Sequence, residues 1–408
     1  MDSQTLLARI TDYASRPDPY PLYAELRSAG PAVRQTDGSY LVGTYHEIAA
    51  LLHDPRMSAD PRSRGESEMT HKPPFLRLDD PEHHRLRTLA MRPFGPPHSP
   101  GRVDAMRGEI DEITKELMGS FQAGRQVDIV DDFAYPLPVT VICRLLGVPR
   151  ADEPRFREWS DTLVASADVR PEDDSTELAR AGDQARIEMG GYLVDLAEQR
   201  RGHPTGDMLS DFVNEPDPAR RLTQEELAAT AVLLLIAGHE TTVNLITNGA
   251  LTLLRHPEHL DRLRREPDLM PRVVEELLRY EPPVHMRERI PLDDIEVTGT
   301  TIAQGTPVVL VLASGNRDPM RFHEPDRFDP TRPDNEHLGF GSGIHLCYGG
   351  PLARLEAESA LRALVPYLGT ARLGQDPPPY RQNAMLRGPR HLPVDLKVPV
   401  PHEQAVGP

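Results

Sequence analysis

Of the two cysteines in this chain of 408 residues, Cys347 stands where a thiolate could do chemistry. It closes the run Phe340-Gly-Ser-Gly-Ile-His-Leu-Cys347-Tyr-Gly349, just ahead of Pro351 and a helical pattern over Leu352–Leu364. The glycines allow a tight backbone that other groups can approach closely. A thiol at a helix N-terminus is predicted to ionise readily, because the helix dipole and free N–H groups favour the thiolate. Cys143, inside the apolar stretch Val139–Leu146, reads as a small buried hydrophobe. Two cysteines exclude in practice a disulfide framework and any four-thiolate metal site. No His/Cys set carries zinc-finger spacing.

A second constellation, Ala237-Gly-His-Glu-Thr-Thr242, sits in the middle of a helical pattern over 223–255. Thr223 and Glu226 form a capping-box start, and His256–Pro257 ends the pattern. Leu227–Ile236 is apolar all round, so this helix is predicted to be buried. A buried Glu240 is costly unless it is paired or has a task. The residues alone leave two readings open: a polar patch satisfied within its own helix, with threonine bonding the i−4 carbonyl, or a reactive site. Two further pairs have helical spacing. His83 and Arg87, four apart, share a helix face, and Glu276 and Arg279 suit an i,i+3 ion pair.

The elements that must position these residues are mostly helical. Periodicity predicts helices at 20–29, 46–53, 82–92, 102–123, 138–146, 151–167, 176–200, 223–255, 258–265, 268–280 and 351–366. Short strands are predicted at 32–34, 40–43, 295–297, 301–302, 306–311 and near 394–398. The fold class is therefore mostly α with minor β. Length alone suggests up to three domains, yet no stretch reads as an interdomain linker. A net charge of −17 argues against nucleic acid as a general partner. The longest apolar run, Leu227–Gly238, is too short for the ~20 residues that cross a bilayer. No N-terminal targeting segment is seen, so a cytoplasmic location is expected.

Phe340, Gly343, Cys347 and Gly349 match the pattern Phe-x-x-Gly-x-x-x-Cys-x-Gly, and on it the chain resembles the cytochrome P450 family. The likeness continues in order through Ala237–Thr242, Glu276-Leu-Leu-Arg279, Asn316–Pro319, His323–Phe328, Leu352–Glu356 and Arg387–Pro393. The resemblance implies one haem-centred domain over 1–408, with haem b between the long central helix and the helix after the cysteine loop. Cys347 would be the metal ligand, with Phe340, Gly341, Gly349 and Ala237 around the cofactor. His83, Arg87, Arg289 and His345 would hold the haem propionates, with Arg287 lying two residues before Arg289. Glu240 would shuttle protons, Thr241 would hold dioxygen and its water, and Gly238 would let the helix open locally. His239 should point away from the iron, and Glu276 and Arg279 should be structural. The substrate pocket would be lined by the loop Met69–Leu76 with Phe75, by Leu233, by Val284, His285 and Met286, and by Met385.

The implied function is monooxygenation: hydroxylation or epoxidation of a bulky, mostly apolar natural product such as a polyketide or macrolide. Soluble bacterial members, and actinobacterial tailoring enzymes among them, are the best likeness. Electrons would come from ferredoxin and its reductase, docking near Cys347 on a local basic patch of Arg85, Arg92 and Arg354. The protein would act as a monomer. Oxidative coupling and steroid or xenobiotic hydroxylation are the alternatives. An intact Glu240–Thr241 pair disfavours a peroxide-driven enzyme and a non-catalytic sensor.

Overall fold

In the computed structural model, the residues described are 5–64, 72–95, 99, 101–121 and 125–396. The part of the expected pocket loop before Lys72 lies outside them.

The central helix, Gln224–Arg255, starts where its capping box says. Thr223 Oγ1 accepts from the Glu226 N–H, and Glu226 Oε2 accepts from the Thr223 N–H at 3.0 Å. Its 32 residues span about 48 Å at 1.5 Å each. Apolar residues all round it let helices pack on it from several sides, Pro136–Leu146, Ser175–Gln199, Met270–Tyr280 and Gly350–Leu368 among them. At Gly249 a Cβ would sit 2.9 Å from Leu277 Cδ1 and 3.1 Å from Leu361 Cδ1, so glycine is what lets the helices meet there. Leu245, Ile246, Leu253, Leu352, Leu355 and Leu364 all belong to this core. The helix that follows the cysteine loop is thereby fixed against the central helix.

The largest sheet lies apart from that core. Its strand order is Val33–Arg34, Tyr40–Val42, Val308–Leu310, Arg287–Pro291, Met57–Ser58. Arg287 pairs with Leu310 and Arg289 with Val308. Successive side chains of a strand alternate in face, so Arg287 and Arg289 share one and Met286, Glu288 and Ile290 the other. Two smaller sheets are made by Gln126–Asp128, Pro393–Asp395 and Arg372–Leu373, and by Ile295–Val297 with Thr300–Ile302.

Most expected elements lie within a residue or two of their predicted bounds. The helix expected over 102–123 is broken at Met106 into Arg102–Ala105 and Arg107–Met118. Leu6–Thr11 and Met208–Val213, too short for a periodic signal, went unpredicted. So did strand Arg287–Pro291, whose arginine-rich, proline-ended run lacks a strand's usual composition.

Candidate active site

The cysteine loop is shaped by glycines that no other residue could replace cheaply. Gly341 and Gly343 have φ of +71° and +68°, in the left-handed region. A Cβ on Gly343 would also collide with the Leu52 carbonyl oxygen. The Cys347 N–H donates to Phe340 O at 3.0 Å, closing the loop. Phe340 is held in turn by the Arg354 guanidinium, 4.6 Å from its ring centre, and Arg354 is anchored on Glu275 at 2.5 and 3.0 Å. The helix Gly350–Leu368 begins three residues past the cysteine.

The Cys347 thiol is exposed at its tip but has protein on most sides. Its pKa is pushed up by that desolvation, against the Gly349 N–H and the charges of Arg87, Arg287 and Arg354, which pull it down. The expectation of a readily ionised thiol is thus corrected for the protein chain by itself. The donors are in place, but burial outweighs them until a metal removes the proton.

Around this loop the structure gathers basic side chains with few anions to match them. His83 and His345 lie ring to ring at 4.3 Å. His83 uses Nδ1 on Asp80 Oδ1 at 3.1 Å, while its Nε2 and both ring nitrogens of His345 are buried with no hydrogen-bond partner. Burial, then the charges of Arg289, His83 and Arg87, drives His345 down to about 3. Burial and the neighbouring Arg287 lower Arg289 to about 10, and its Nη1 donates to the Glu288 carbonyl. Arg87 donates to Leu346 O at 2.6 Å. Among the described residues, none of Arg87, Arg287 and Arg289 is in an ion pair. Buried polar atoms normally find partners, so this set fits a ligand that brings two carboxylates beside a thiolate-bound metal. Haem is such a ligand. Arg287 was not singled out for this role from sequence, although its spacing of two from Arg289 is the signal that places it on the same face.

Ala237 is exposed midway along the central helix, between the buried runs Thr230–Leu235 and Thr242–Leu253. Thr241, one turn on, donates from Oγ1 to Ala237 O at 2.7 Å. Glu240 is 8% exposed, and burial raises its pKa against the pull of Arg381. His239 faces the other way, as expected: its Nε2 lies 3.1 Å from Tyr135 O, and burial lowers it to about 4. The helix stays α-helical throughout, which corrects the expected local opening at Gly238. A Cβ there would meet Ile142 Cδ1 at 3.2 Å, so this glycine serves the close approach of helix Pro136–Leu146.

Of the expected pocket residues, Phe75 and Leu233 share an apolar cluster with Leu78, Leu86 and Ala90, against Tyr348 of the cysteine loop. Met385 is exposed, and Val284 forms an isolated bridge with Leu386. His285 and Met286 are corrections. His285 Nδ1 is bonded to the Tyr23 hydroxyl at 2.7 Å, and Met286 packs with Ile10, Tyr23 and Leu26, so both are N-terminal core. Glu276 and Arg279 are fully buried and paired at 2.6 and 2.9 Å, with Arg279 also donating to Asn316 O, Pro325 O and Arg327 O. Arg85, Arg92 and Arg354 are each already paired, with Glu226, Glu215 and Glu275, so the expected basic patch is largely neutralised. Arg381, beside Glu240, was missed, because no motif singles it out and it meets Glu240 only across 141 residues of sequence, in the packed chain.

Comparison with known proteins agrees with this geometry. A family model described as "Cytochrome P450" matches residues 36–394. The chain is 42% identical to "Cytochrome P450 monooxygenase PikC" of Streptomyces venezuelae, covering 94% of this chain and 92% of that one. It is 38% identical to "6-deoxyerythronolide B hydroxylase" of Saccharopolyspora erythraea, with 93% and 96% covered. The solved structure of open cytochrome P450 Eryk from S. erythraea superposes with a TM-score of 0.86 at 32% identity, covering 96% of this chain and 99% of that one.

Proposed function

The chain belongs to the cytochrome P450 family, and from that premise we propose that it hydroxylates or epoxidises a bulky, mostly apolar natural product of the polyketide or macrolide kind. It is a monooxygenase, and its cofactor is haem with an axial cysteine thiolate. When bound, haem supplies the activation of dioxygen and the transfer of one oxygen atom to the substrate. The rest of the chemistry falls to side chains of this protein.

Cys347 is the thiolate ligand, with the Gly349 N–H aimed at its sulfur and Phe340 and Gly341 shaping its loop. His83, Arg87, Arg289 and His345 would hold the two propionates, which would meet the unpartnered nitrogens of the histidines and the unpaired charges of the arginines. Ala237 would leave room for the cofactor beside the central helix, with a side chain too small to block it. Thr241 presents its hydroxyl from the same stretch, and Glu240 carries protons to it from outside. Phe75, Leu233, Val284 and Met385 shape the apolar side of the pocket. Ferredoxin, reduced by its reductase, delivers electrons on the Cys347 side, and the protein works as a monomer in the cytoplasm.

The observation that carries this reading is the conjunction of a cluster of basic side chains short of anions around a cysteine with a buried Glu240 beside the half-buried hydroxyl of Thr241 and the exposed Ala237 midway along the central helix. A relative named as a hydroxylase of 6-deoxyerythronolide B supports the substrate class. The test is a titration of the haem-loaded protein with macrolide aglycones and glycosides, followed through the haem absorption band. Turnover with ferredoxin, reductase and NADPH under labelled dioxygen should then give a product carrying one labelled oxygen. Binding by none of these compounds, with tight binding of steroids, would overturn the substrate assignment.

A further inference from the structure

Glu240 needs a counter-charge if it is to carry protons. Its carboxyl is buried, and burial favours the neutral acid. An acid whose neutral form is too strongly favoured gives up its proton poorly. A carboxylate locked in a close ion pair accepts no proton. A useful relay group lies between the two.

The groups that face Glu240 come from three elements. Arg381, in the C-terminal segment and 4% exposed, places Nε 3.9 Å from Glu240 Oε1, and that Nε is buried without a hydrogen-bond partner. Asp168, capping the C-terminal end of helix Glu153–Ala167, adds a negative charge that works against Arg381, and Asp161 of the same helix lies by Tyr135. Tyr135 and the neutral His239 complete the surroundings. A separation of 3.9 Å is too long for a hydrogen bond but well within Coulombic reach.

Asp168 also sets where Arg381 stands. Its Oδ1 accepts the N–H groups of Gln382 at 2.5 Å and Asn383 at 3.1 Å, and its Oδ2 pairs with Arg390 Nη1 at 2.8 Å. The Arg381 N–H donates to Gly388 O at 3.2 Å. The Arg390 side chain is 39% exposed. Charges of alternating sign therefore run Glu240, Arg381, Asp168, Arg390 from the central helix to the surface.

We propose that Arg381, held in place by Asp168, is a positioning residue that keeps Glu240 able both to give and to regain a proton. This rests on the reading of Glu240 as proton carrier. Arg381 and Asp168 carry opposite charges, so removing each should move Glu240 in opposite directions, which a purely structural role would not do.

The experiment uses the full-length haem-loaded enzyme. The protonated carboxyl band of Glu240, identified in infrared spectra by its loss in Glu240→Gln, is followed against pH, and product formed per NADPH is measured over the same range. Arg381→Met should move the infrared midpoint up by about one unit or more, and Asp168→Asn should move it down by about half a unit. The pH profile of coupling should follow each shift, and Arg381→Lys should restore most of the wild-type midpoint. Midpoints unmoved in both variants, or moved the same way, overturn the proposal. If Arg381→Met does not fold, the sign of the Asp168→Asn shift decides. If Glu240→Gln leaves coupling intact, the proton-carrier reading itself fails, whatever Arg381 does.

Discussion

Two arginine-centred clusters in this protein are opposite in chemistry. In one, Arg279 lies fully buried, and its guanidinium donates to both Glu276 oxygens and to three backbone carbonyls. In the other, Arg287 and Arg289, in no ion pair among the described residues, crowd the cysteine loop with His83 and His345, whose Nε2 and two ring nitrogens respectively are buried without partners, and burial lowers the basicity of all four. The first cluster is complete within the chain, so it serves the fold. The second is short of negative charge, so it is built for something the chain does not supply. What separates structure from function here is whether the chain supplies the carboxylate: Glu276 meets Arg279, and among the described residues none pairs with Arg287 or Arg289.

Cys347→Ala is expected to be the most drastic way to break the second cluster. With no thiolate to bind the iron, the carbon monoxide difference spectrum characteristic of thiolate ligation should vanish completely. Retention of that spectrum would remove Cys347 as ligand. In the first cluster the largest effect falls on stability. Glu276→Gln leaves Arg279 charged in a site with no exposure, and breaking a buried pair in this way costs about 3–5 kcal/mol. Chemical unfolding of the haem-free chain should show that loss, and a cost below about 1 kcal/mol would mean the pair is not the anchor its geometry suggests.

The same contrast explains how much could be read from sequence. The cysteine loop, the acid–hydroxyl segment and the capping box at Thr223 are local patterns, and each sits where its spacing put it. Pairings across long sequence distances were not legible. Nothing near Arg85, Arg92 or Arg354 announces that Glu226, Glu215 and Glu275 neutralise them. His285 and Met286 follow Pro283 closely, and local pattern could not say which face they would take. The partner of His285 is Tyr23, 262 residues away. Arg287 and Arg381 matter through what they face, and facing is a property of the packed chain.

pH offers an intermediate test of the comparison. His239 is neutral in the fold, lowered from 6.5 to about 4 by burial. The unfolded chain binds its proton first as pH falls, so the stability is full above 6.5 and is lost between 6.5 and 4. The size is about 3 kcal/mol. Compensated acids behave otherwise. Against desolvation, His337 and Arg354 hold Glu275 at about 2, so its contribution is complete above the ordinary 4.5 and is lost only as pH falls from there toward 2. Unfolding free energies measured at pH 7, 5.5 and 4.5 should therefore fall in the wild type and fall less in His239→Asn. Equal slopes in the two proteins would show that the imidazole is not the group being titrated.

The smallest expected effect separates the clusters most cleanly, because it reverses sign. Arg289→Met removes a charge that the haem-free chain has desolvated without an anion to match it. The haem-free variant should be as stable as the wild type or about 1 kcal/mol more so. The haem-loaded variant should lose its cofactor about tenfold faster to an acceptor such as apomyoglobin, since a charge-assisted contact worth roughly 1.5–3 kcal/mol is gone. Arg279→Met has no such reversal available. Its guanidinium already has its carboxylate, so the variant should be destabilised with or without haem, leaving Glu276 as the unpaired buried charge. If Arg289→Met also destabilised the haem-free chain by several kcal/mol, the anion shortage around Cys347 would be apparent only, and the two clusters would have to be read as one kind.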